Sequence, residues 1–323
     1  MSNYKKALIY IGIISLLASA CIWIGSKAYK NANVSEGKTP ISQIQAIYDP
    51  ALRVPMQGCG SIGVLSNGSC CQLDSSGILR MNTGTGMSEV QESVSMMLPM
   101  DSGVLYTVGQ VLFYAEQETL TRISNRVSAF TGNGEQIIYC TADNELFLFE
   151  NGQSVYLSGL PDGITKQIFA CENYFVVITS RGVYIYSKDS GLSKTALLMG
   201  SSQQYFMYED WLIVVGDGVS GAIAYDVRSE SKQEINLGWN TCEFENQITV
   251  AGDGQWLYLS IRSEIWPQFE KEVHTATFRI NPKNWAAEEI CSEFYSGMVC
   301  STNMIYGWSE ENTLFLENIC ALQ

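Results

Sequence analysis

The sequence is poor in histidine and in charged residues. His274 is the single histidine among 323 residues, and charged residues make up 16% of the chain. One histidine is too few for a histidine-rich metal centre, and it is the single candidate for imidazole-based catalysis. The ten cysteines include no Cys-x-x-Cys pair, and no Gly-x-Ser-x-Gly elbow is present. Motifs thus identify no catalytic residue, and we predict neither a metal site nor a cofactor.

Acidic residues outnumber basic residues in this chain. The chain has 19 lysines and arginines against 33 acids, a net charge of −14. Four lysines and no acid lie within residues 1–30, which leaves a net charge of −18 for residues 31–323. A surface this acidic repels phosphate backbones and anionic lipid headgroups. We therefore expect no nucleic-acid binding.

One long apolar run stands near the start of the chain. Residues 7–25 carry no charge, and a helix of 19 residues is roughly 28 Å long, close to the hydrocarbon thickness of a bilayer. The six residues before it are too few to fold, whereas a whole domain follows. We predict a cytoplasmic tail (1–6), a single-pass transmembrane signal-anchor helix (7–25), a polar tether (26–45) and a domain outside the cytoplasm (46–323).

Two alternatives to an uncleaved anchor stay open. Ala18-Ser19-Ala20 is a possible signal-peptide cleavage site, and lipidation of Cys21 would follow cleavage there in a lipoprotein. The apolar residues Ile22-Trp23-Ile24 continue the run past Cys21, which favours the anchor.

The remaining nine cysteines have two interpretations. Cys140 and Cys171 lie in apolar runs and are expected to be buried thiols. Cys291 with Cys300, or Cys59 with Cys320, would be able to form disulfides in an oxidising compartment.

A unit of about 40 residues recurs beyond the tether. Each unit has a polar turn, an apolar strand, a second polar turn and a strand rich in aromatics, as in VLYTV-GQ-VLFYA at 104–115. Seven units start at intervals of 33 to 47 residues. Flanking segments supply a preceding strand (94–99, 127–130, 167–170, 205–208, 248–251, 295–300) and a more polar following strand (119–123, 154–157, 194–198, 233–237, 285–290).

Four strands in every 40 residues or so are typical of propeller blades. We predict an all-β, seven-bladed β-propeller, with six or eight blades as alternatives. The last unit ends too early for an outer strand, so we expect a segment within residues 41–54 to complete that blade.

Two second-strand endings, YIYSKDSG at 184–191 and AIAYD at 222–226, carry a family resemblance. With these endings, the sequence resembles bacterial extracytoplasmic β-propeller repeat proteins, either of the quinoprotein type or of a generic type, over about residues 60–320. The resemblance implies the architecture only. The tryptophan that follows each Asp turn in quinoproteins is missing in most units, so no cofactor is implied.

The longest connection within a unit spans residues 262–274 and contains Trp266 and Phe269. Long loops on a rigid ring often carry partner contacts, and exposed aromatics need something to pack on. We interpret this loop as a binding element; the alternative is a hairpin whose aromatics fold back on the blade.

Further candidates come from connections expected at the same face. They are Trp239, Asn240, Trp308, Glu310 and Glu311. Indole rings stack on sugar CH groups, while carboxylates accept hydrogen bonds. The alternative is that tryptophans at blade junctions are structural wedges.

These features favour a binding or scaffolding module for an envelope protein, a peptide or a glycan. The competing hypothesis is a carbohydrate-active enzyme, a hydrolase or a lyase, with paired carboxylates on the axis. Glu243, Glu245, Glu310 and Glu311 are the acids available for it, although their spacing selects none of them.

Overall fold

The structure of the protein is a computed structural model. The structure describes residues 37–52, 54–57, 60–82, 86–116, 119–133, 136–160, 163–195, 197, 203–216, 221–238, 246–265, 272–310 and 314–322. Its strands form seven antiparallel sheets, which we call blades A to G in chain order. The all-β prediction and the count of seven are therefore confirmed.

Two short strands, β1 (Lys38–Pro40) and β2 (Met56–Gln57), precede blade A, with a single 3-10 turn (Ile41–Gln43) between them. The strands of the first three blades follow in chain order. Blade A contains β3 (Ser61–Val64), β4 (Cys70–Leu73), β5 (Leu79–Asn82) and β6 (Met87–Gln91). Blade B contains β7 (Val94–Pro99), β8 (Val104–Val108), β9 (Val111–Glu116) and β10 (Thr119–Ser124), and β2 pairs with β7. Blade C contains β11 (Val127–Asn133), β12 (Gln136–Thr141), β13 (Glu145–Glu150) and β14 (Gln153–Gly159).

The other four blades repeat this order. Blade D contains β15 (Thr165–Ala170), β16 (Phe175–Thr179), β17 (Gly182–Ser187) and β18 (Gly191–Lys194). Blade E contains β19 (Gln204–Tyr208), β20 (Trp211–Val215), β21 (Gly221–Asp226) and β22 (Lys232–Asn236). Blade F contains β23 (Asn246–Gly252), β24 (Leu257–Ile265), β25 (Glu272–Asn281) and β26 (Ala286–Cys291). Blade G contains β27 (Gly297–Cys300), β28 (Met304–Trp308), β29 (Phe315–Ala321) and the distant β1.

Each pair of neighbouring blades encloses one hydrophobic cluster. Side chains on a strand alternate between its two faces. In β20, Leu212 and Val214 therefore pack toward blade D, whereas Ile213 and Val215 pack toward blade F. Seven such clusters occupy the seven junctions, including the junction between blades G and A. The ring is thus closed, and its middle strands are apolar on both faces because both faces are buried.

The ring closes through β1, which pairs with β29 as the outer strand of blade G. Thr39 lies opposite Leu316, and the Nζ atom of Lys38 lies 3.6 Å from Oε1 of Glu317. The prediction that an early segment completes this blade is confirmed, but its place within 41–54 is wrong. The closing strand lies just upstream of that range. Ile41, the residue that follows it, is already buried in the cluster between blades G and A.

Other boundaries also need correction. Residues 38–45 were expected in the tether, yet β1 is part of blade G and Ile41 is buried. The outer strand of blade D is Gly191–Lys194 rather than 194–198, since it follows the turn after β17 directly. Cys291, Cys300 and Cys320 are free thiols, so a Cys291–Cys300 disulfide is absent from the described residues; Cys59 lies outside them.

Residues 1–36 lie outside the described residues, and the predicted anchor helix at 7–25 lies there with them. Within the part of the chain that the structure describes, no helix is long and apolar enough to cross a membrane.

Candidate functional site

The segment between β1 and β3 lies on the axis of the ring. We call residues 44–57 the axial segment; its residue 53 is not described. Ile47 donates its backbone N–H to the carbonyl of Cys300 in β27, at 2.6 Å. Leu52 and Val54 pack against the cluster between blades E and F, and Met56 packs against the cluster between blades A and B. Contacts with blades on opposite sides of the ring place this segment at its centre.

Asp49 is the buried acid of the axial segment. It is 8% exposed, and its Oδ1 accepts the backbone N–H of Ala51 at 3.0 Å. A Cβ atom on Gly252 would come within 2.3 Å of Oδ2, so β23 approaches this carboxyl closely only because it carries a glycine there. Burial raises the pKa of Asp49, and the neighbouring charge of Asp253 raises it further. A small cavity of about 50 Å³ lies beside this acid, between the axial segment and blades A, B, F and G.

A larger cavity opens where the inner strands begin. It has a volume of about 490 Å³, and we call it the axial mouth. Its apolar lining includes Val54, Pro55 and Met56 of the axial segment. Its polar lining comes from blades A, D, E, F and G: Ser61, Lys166, Gln167, Gln203, Gln204, Gln247, Thr249, Ser296 and Glu310.

Carboxamides dominate the polar part of the axial mouth. Four glutamines line it, and each side chain has both a donor NH₂ and an acceptor oxygen. Tyr205 donates its hydroxyl to Oε1 of Gln203 at 2.6 Å, and Nη1 of Arg262 lies 3.4 Å from Oε1 of Gln247. These contacts orient two of the carboxamides. The described lining adds one ammonium, on Lys166, and one carboxylate, on Glu310.

The aromatic rings Tyr205, Phe206 and Phe294 complete the lining. An apolar floor, aromatic edges and paired donors and acceptors together suit a neutral polar chain, such as a peptide backbone or a sugar.

The structure divides the predicted site residues into three groups. Glu310 is exposed and lines the axial mouth. Trp239, Asn240, Trp266, Phe269 and Glu311 lie outside the described residues, as do Glu243 and Glu245. The strands next to these residues are described. Asn246 in β23 pairs with Ser263 in β24, so β23 begins and β24 ends at the same face of blade F. Gln247 lines the axial mouth at that face.

Trp308 is not part of an exposed surface. Its side chain is fully buried in the cluster between blades G and A, together with Ile62 and Val299. The expectation that it contributes to a binding rim is corrected. Its position at the end of β28 places the indole between two blades, which is the wedge role considered as the alternative.

The glutamines of the axial mouth were missed. A signal for them exists: a glutamine precedes the apolar part of three successive inner strands, in Lys166-Gln167-Ile168, Gln203-Gln204-Tyr205 and Asn246-Gln247-Ile248. Of these glutamines, only Gln167 falls within a predicted inner strand, and none was predicted to line a site. In a propeller, the starts of the inner strands converge around the axis, so a residue repeated there is a candidate lining residue.

Comparison with known proteins supports the architecture. No family model matches the chain, and no curated protein matches it. The solved structure of BamB from Moraxella catarrhalis aligns with a TM-score of 0.54 and 11% identity, covering 88% of this chain and 99% of that chain. The computationally designed Ika8 protein aligns with a TM-score of 0.52 and 9% identity, covering 82% of this chain and 97% of that chain. Identity at this level shows the fold alone, and the resemblance to bacterial propeller proteins is confirmed at that level.

Proposed function

We propose that this chain is a membrane-anchored, extracytoplasmic propeller that binds an envelope protein, a peptide or a glycan at its axial mouth. The observation that carries the proposal is the cavity of about 490 Å³ with four glutamines around an apolar floor. Carboxamides satisfy the donors and acceptors of a neutral polar chain without the desolvation cost of a buried charge.

The connections that carry Trp239, Asn240, Trp266, Phe269 and Glu311 extend this proposal. Each follows or precedes a strand end at the face of the axial mouth, and we propose that these residues contribute to the rim of the site. A carbohydrate-active enzyme would need two facing carboxylates. The described lining supplies Glu310, and such an enzyme, with a second acid among Glu243, Glu245 and Glu311, stays the alternative.

Equilibrium binding tests the site. Two probes are titrated into the purified protein by calorimetry: a soluble peptidoglycan fragment and an unstructured, uncharged peptide. We expect one of them to bind and the variant Gln247→Ala to weaken that binding at least tenfold. Gln233→Ala, on the outer strand β22, is the matched control and should leave binding unchanged. Binding that Gln247→Ala and Gln233→Ala weaken equally, or no binding of either probe, would contradict the proposal.

Membrane anchoring needs its own test, because it rests on the 19-residue apolar run at 7–25. After alkaline carbonate extraction, the full chain should stay with the membranes. Protease added from outside the cytoplasmic membrane should digest the propeller. A chain that leaves the membrane in carbonate, or that resists external protease until the membrane is broken, would show that the anchor or its orientation is wrong.

A further inference from the structure

The outer strand of blade C differs in composition from the other six outer strands. An outer strand leaves one edge of its sheet unpaired, and proteins commonly protect such edges with charge or proline. Six of the seven described outer strands carry at least one charged residue: Lys38 in β1, Glu89 in β6, Arg122 in β10, Lys194 in β18, Glu234 in β22 and Glu288 in β26. The seventh, β14, has the sequence QSVYLSG, seven residues without a charge or a proline.

The exposed side chains of β14 are apolar in its middle. Val155 is 52% exposed and Tyr156 is 55% exposed. Tyr156 meets the ring of Phe147 edge-on, with 5.6 Å between ring centroids, so its position is set by the neighbouring strand. Adjacent strand residues point to opposite faces, and the edge therefore offers one apolar contact on each face of the sheet.

The backbone of β14 is also available along this edge. Asn151 and Gly152, with φ of 51° and 77°, form the two-residue turn between β13 and β14. In such a hairpin the pair Glu150–Gln153 next to the turn is hydrogen-bonded, and hydrogen-bonded pairs then alternate along the ladder as far as the register shift between Phe147 and Leu146. Ser154 and Tyr156 fall in the intervening positions, so their N–H and C=O groups point away from β13.

Two carboxylates mark the ends of this edge. Glu150 pairs with Gln153 and Glu145 pairs with Gly159, and both acids are exposed. A strand added to β14 would lie about 10 Å from β13, two strand spacings away. Lysine or arginine side chains at its two ends reach that far. A second copy of this chain fits less well, since each copy carries a net charge of −14.

We propose that β14 accepts an added strand from a partner protein: an extended segment with an alternating β-branched centre and a basic residue at each end. Backbone hydrogen bonds to Ser154 and Tyr156 supply affinity, while Glu145 and Glu150 select the charge. This surface lies on the outer edge of blade C and is separate from the axial mouth.

A synthetic strand tests the proposal on the full chain in detergent. The probe is the fluorescent hexapeptide Lys-Val-Thr-Val-Thr-Lys, and its binding is followed by fluorescence anisotropy. Its two lysines, like Glu145 and Glu150, lie five residues apart and therefore point to opposite faces of the sheet. Backbone N-methylation of the peptide should weaken binding at least tenfold, because it removes the hydrogen-bond donors that a strand needs. Replacing its two lysines by glutamates should weaken binding by about fivefold, the effect of two exposed ion pairs.

Variants of the chain locate the site. Val155→Lys should weaken peptide binding at least tenfold, whereas Leu120→Lys on β10, which is 58% exposed, should leave it unchanged. The double variant Glu145→Gln, Glu150→Gln should remove the preference for lysine over glutamate in the peptide. Hydrogen exchange should show new protection of the Ser154 and Tyr156 amides when the peptide is added.

Several outcomes would overturn this proposal. One is equal binding by the N-methylated peptide; another is equal loss in Val155→Lys and Leu120→Lys. Self-association of the chain that Val155→Lys abolishes would assign the edge to a second copy instead of a basic strand.

Discussion

At the scale of single residues, Asp49 and Asp74 are two buried acids with opposite effects on stability. Burial raises the pKa of Asp49 above the ordinary 3.8. Asp74 is also buried, which by itself would raise its pKa, but hydrogen bonds from Ser76, Arg80 and Ile78 outweigh burial and lower it. An acid with a raised folded-state pKa stabilises the protein at low pH. One with a lowered pKa stabilises it at high pH.

The sign for Asp49 follows from proton counting. Between its unfolded pKa near 3.8 and its raised folded pKa, the folded chain binds more protons than the unfolded chain. Stability therefore decreases as the pH rises through that interval. We predict that Asp49→Asn increases the free energy of unfolding at pH 7 by about 1 kcal/mol, a typical single-residue effect, and that this gain disappears below pH 3.8.

Asp74→Asn is the control for this prediction. It should decrease the free energy of unfolding at pH 7, and the loss should shrink as the pH falls. The free energy of unfolding of both variants is measured by urea denaturation at about pH 3.5 and about pH 7, two values that bracket the titration of a carboxyl group. An effect of Asp49→Asn that is the same at both pH values would contradict the assignment.

At the scale of elements, closure depends on a strand of three residues. β1 alone offers a short ladder to β29, so much of the closure must come from the side chains that follow it. Ile41 is fully buried with Trp308 and Leu316 in the cluster between blades G and A. The residues just after β1 thus hold the ring together through packing as well as backbone pairing.

We predict that Ile41→Ala lowers the free energy of unfolding by about 2–5 kcal/mol, because it leaves a cavity at the closing junction. Ile164→Ala is the matched control. Ile164 is 72% exposed, and its replacement should change stability by less than about 0.5 kcal/mol. Chemical denaturation measures the free energy of unfolding of both variants. Equal losses would show that closure does not depend on this contact.

At the scale of the whole molecule, stability comes from packing at the seven blade junctions, and no disulfide contributes among the described residues. The seven described cysteines, Cys70, Cys71, Cys140, Cys171, Cys291, Cys300 and Cys320, are all free. Burial raises the pKa of the Cys70 and Cys171 thiols to about 12 and that of Cys291 to about 11. Because the thiolate is the reactive form, these groups act as small apolar side chains.

We predict that a reducing agent leaves the Tm of the protein unchanged. In the native state, a maleimide should label Cys320 before Cys70, Cys71 and Cys300, since Cys320 is the only partly exposed thiol of these four. Mass spectrometry after brief labelling measures the order. A Tm that falls by several degrees in reductant would reveal a disulfide, for which Cys59, outside the described residues, would be the candidate.

Much of the architecture was readable from local pattern. Polar turns, apolar middle strands and more polar outer strands recur along the chain. The inner strand predicted for blade B, 94–99, has the same bounds as β7. A strand is recognisable from its own residues because its two faces and its turns are local properties.

The sequence by itself determined that the chain is built from seven similar four-stranded units with turn residues between them. The tertiary structure decided where the leading segment goes: β1 to the far blade, residues 44–57 to the axis, and Trp308 to the core instead of the rim. Only the tertiary structure gathered the glutamines of three separate blades into one mouth. These features depend on contacts between residues distant in the chain, and periodicity within a unit carries no information about which distant residues will meet.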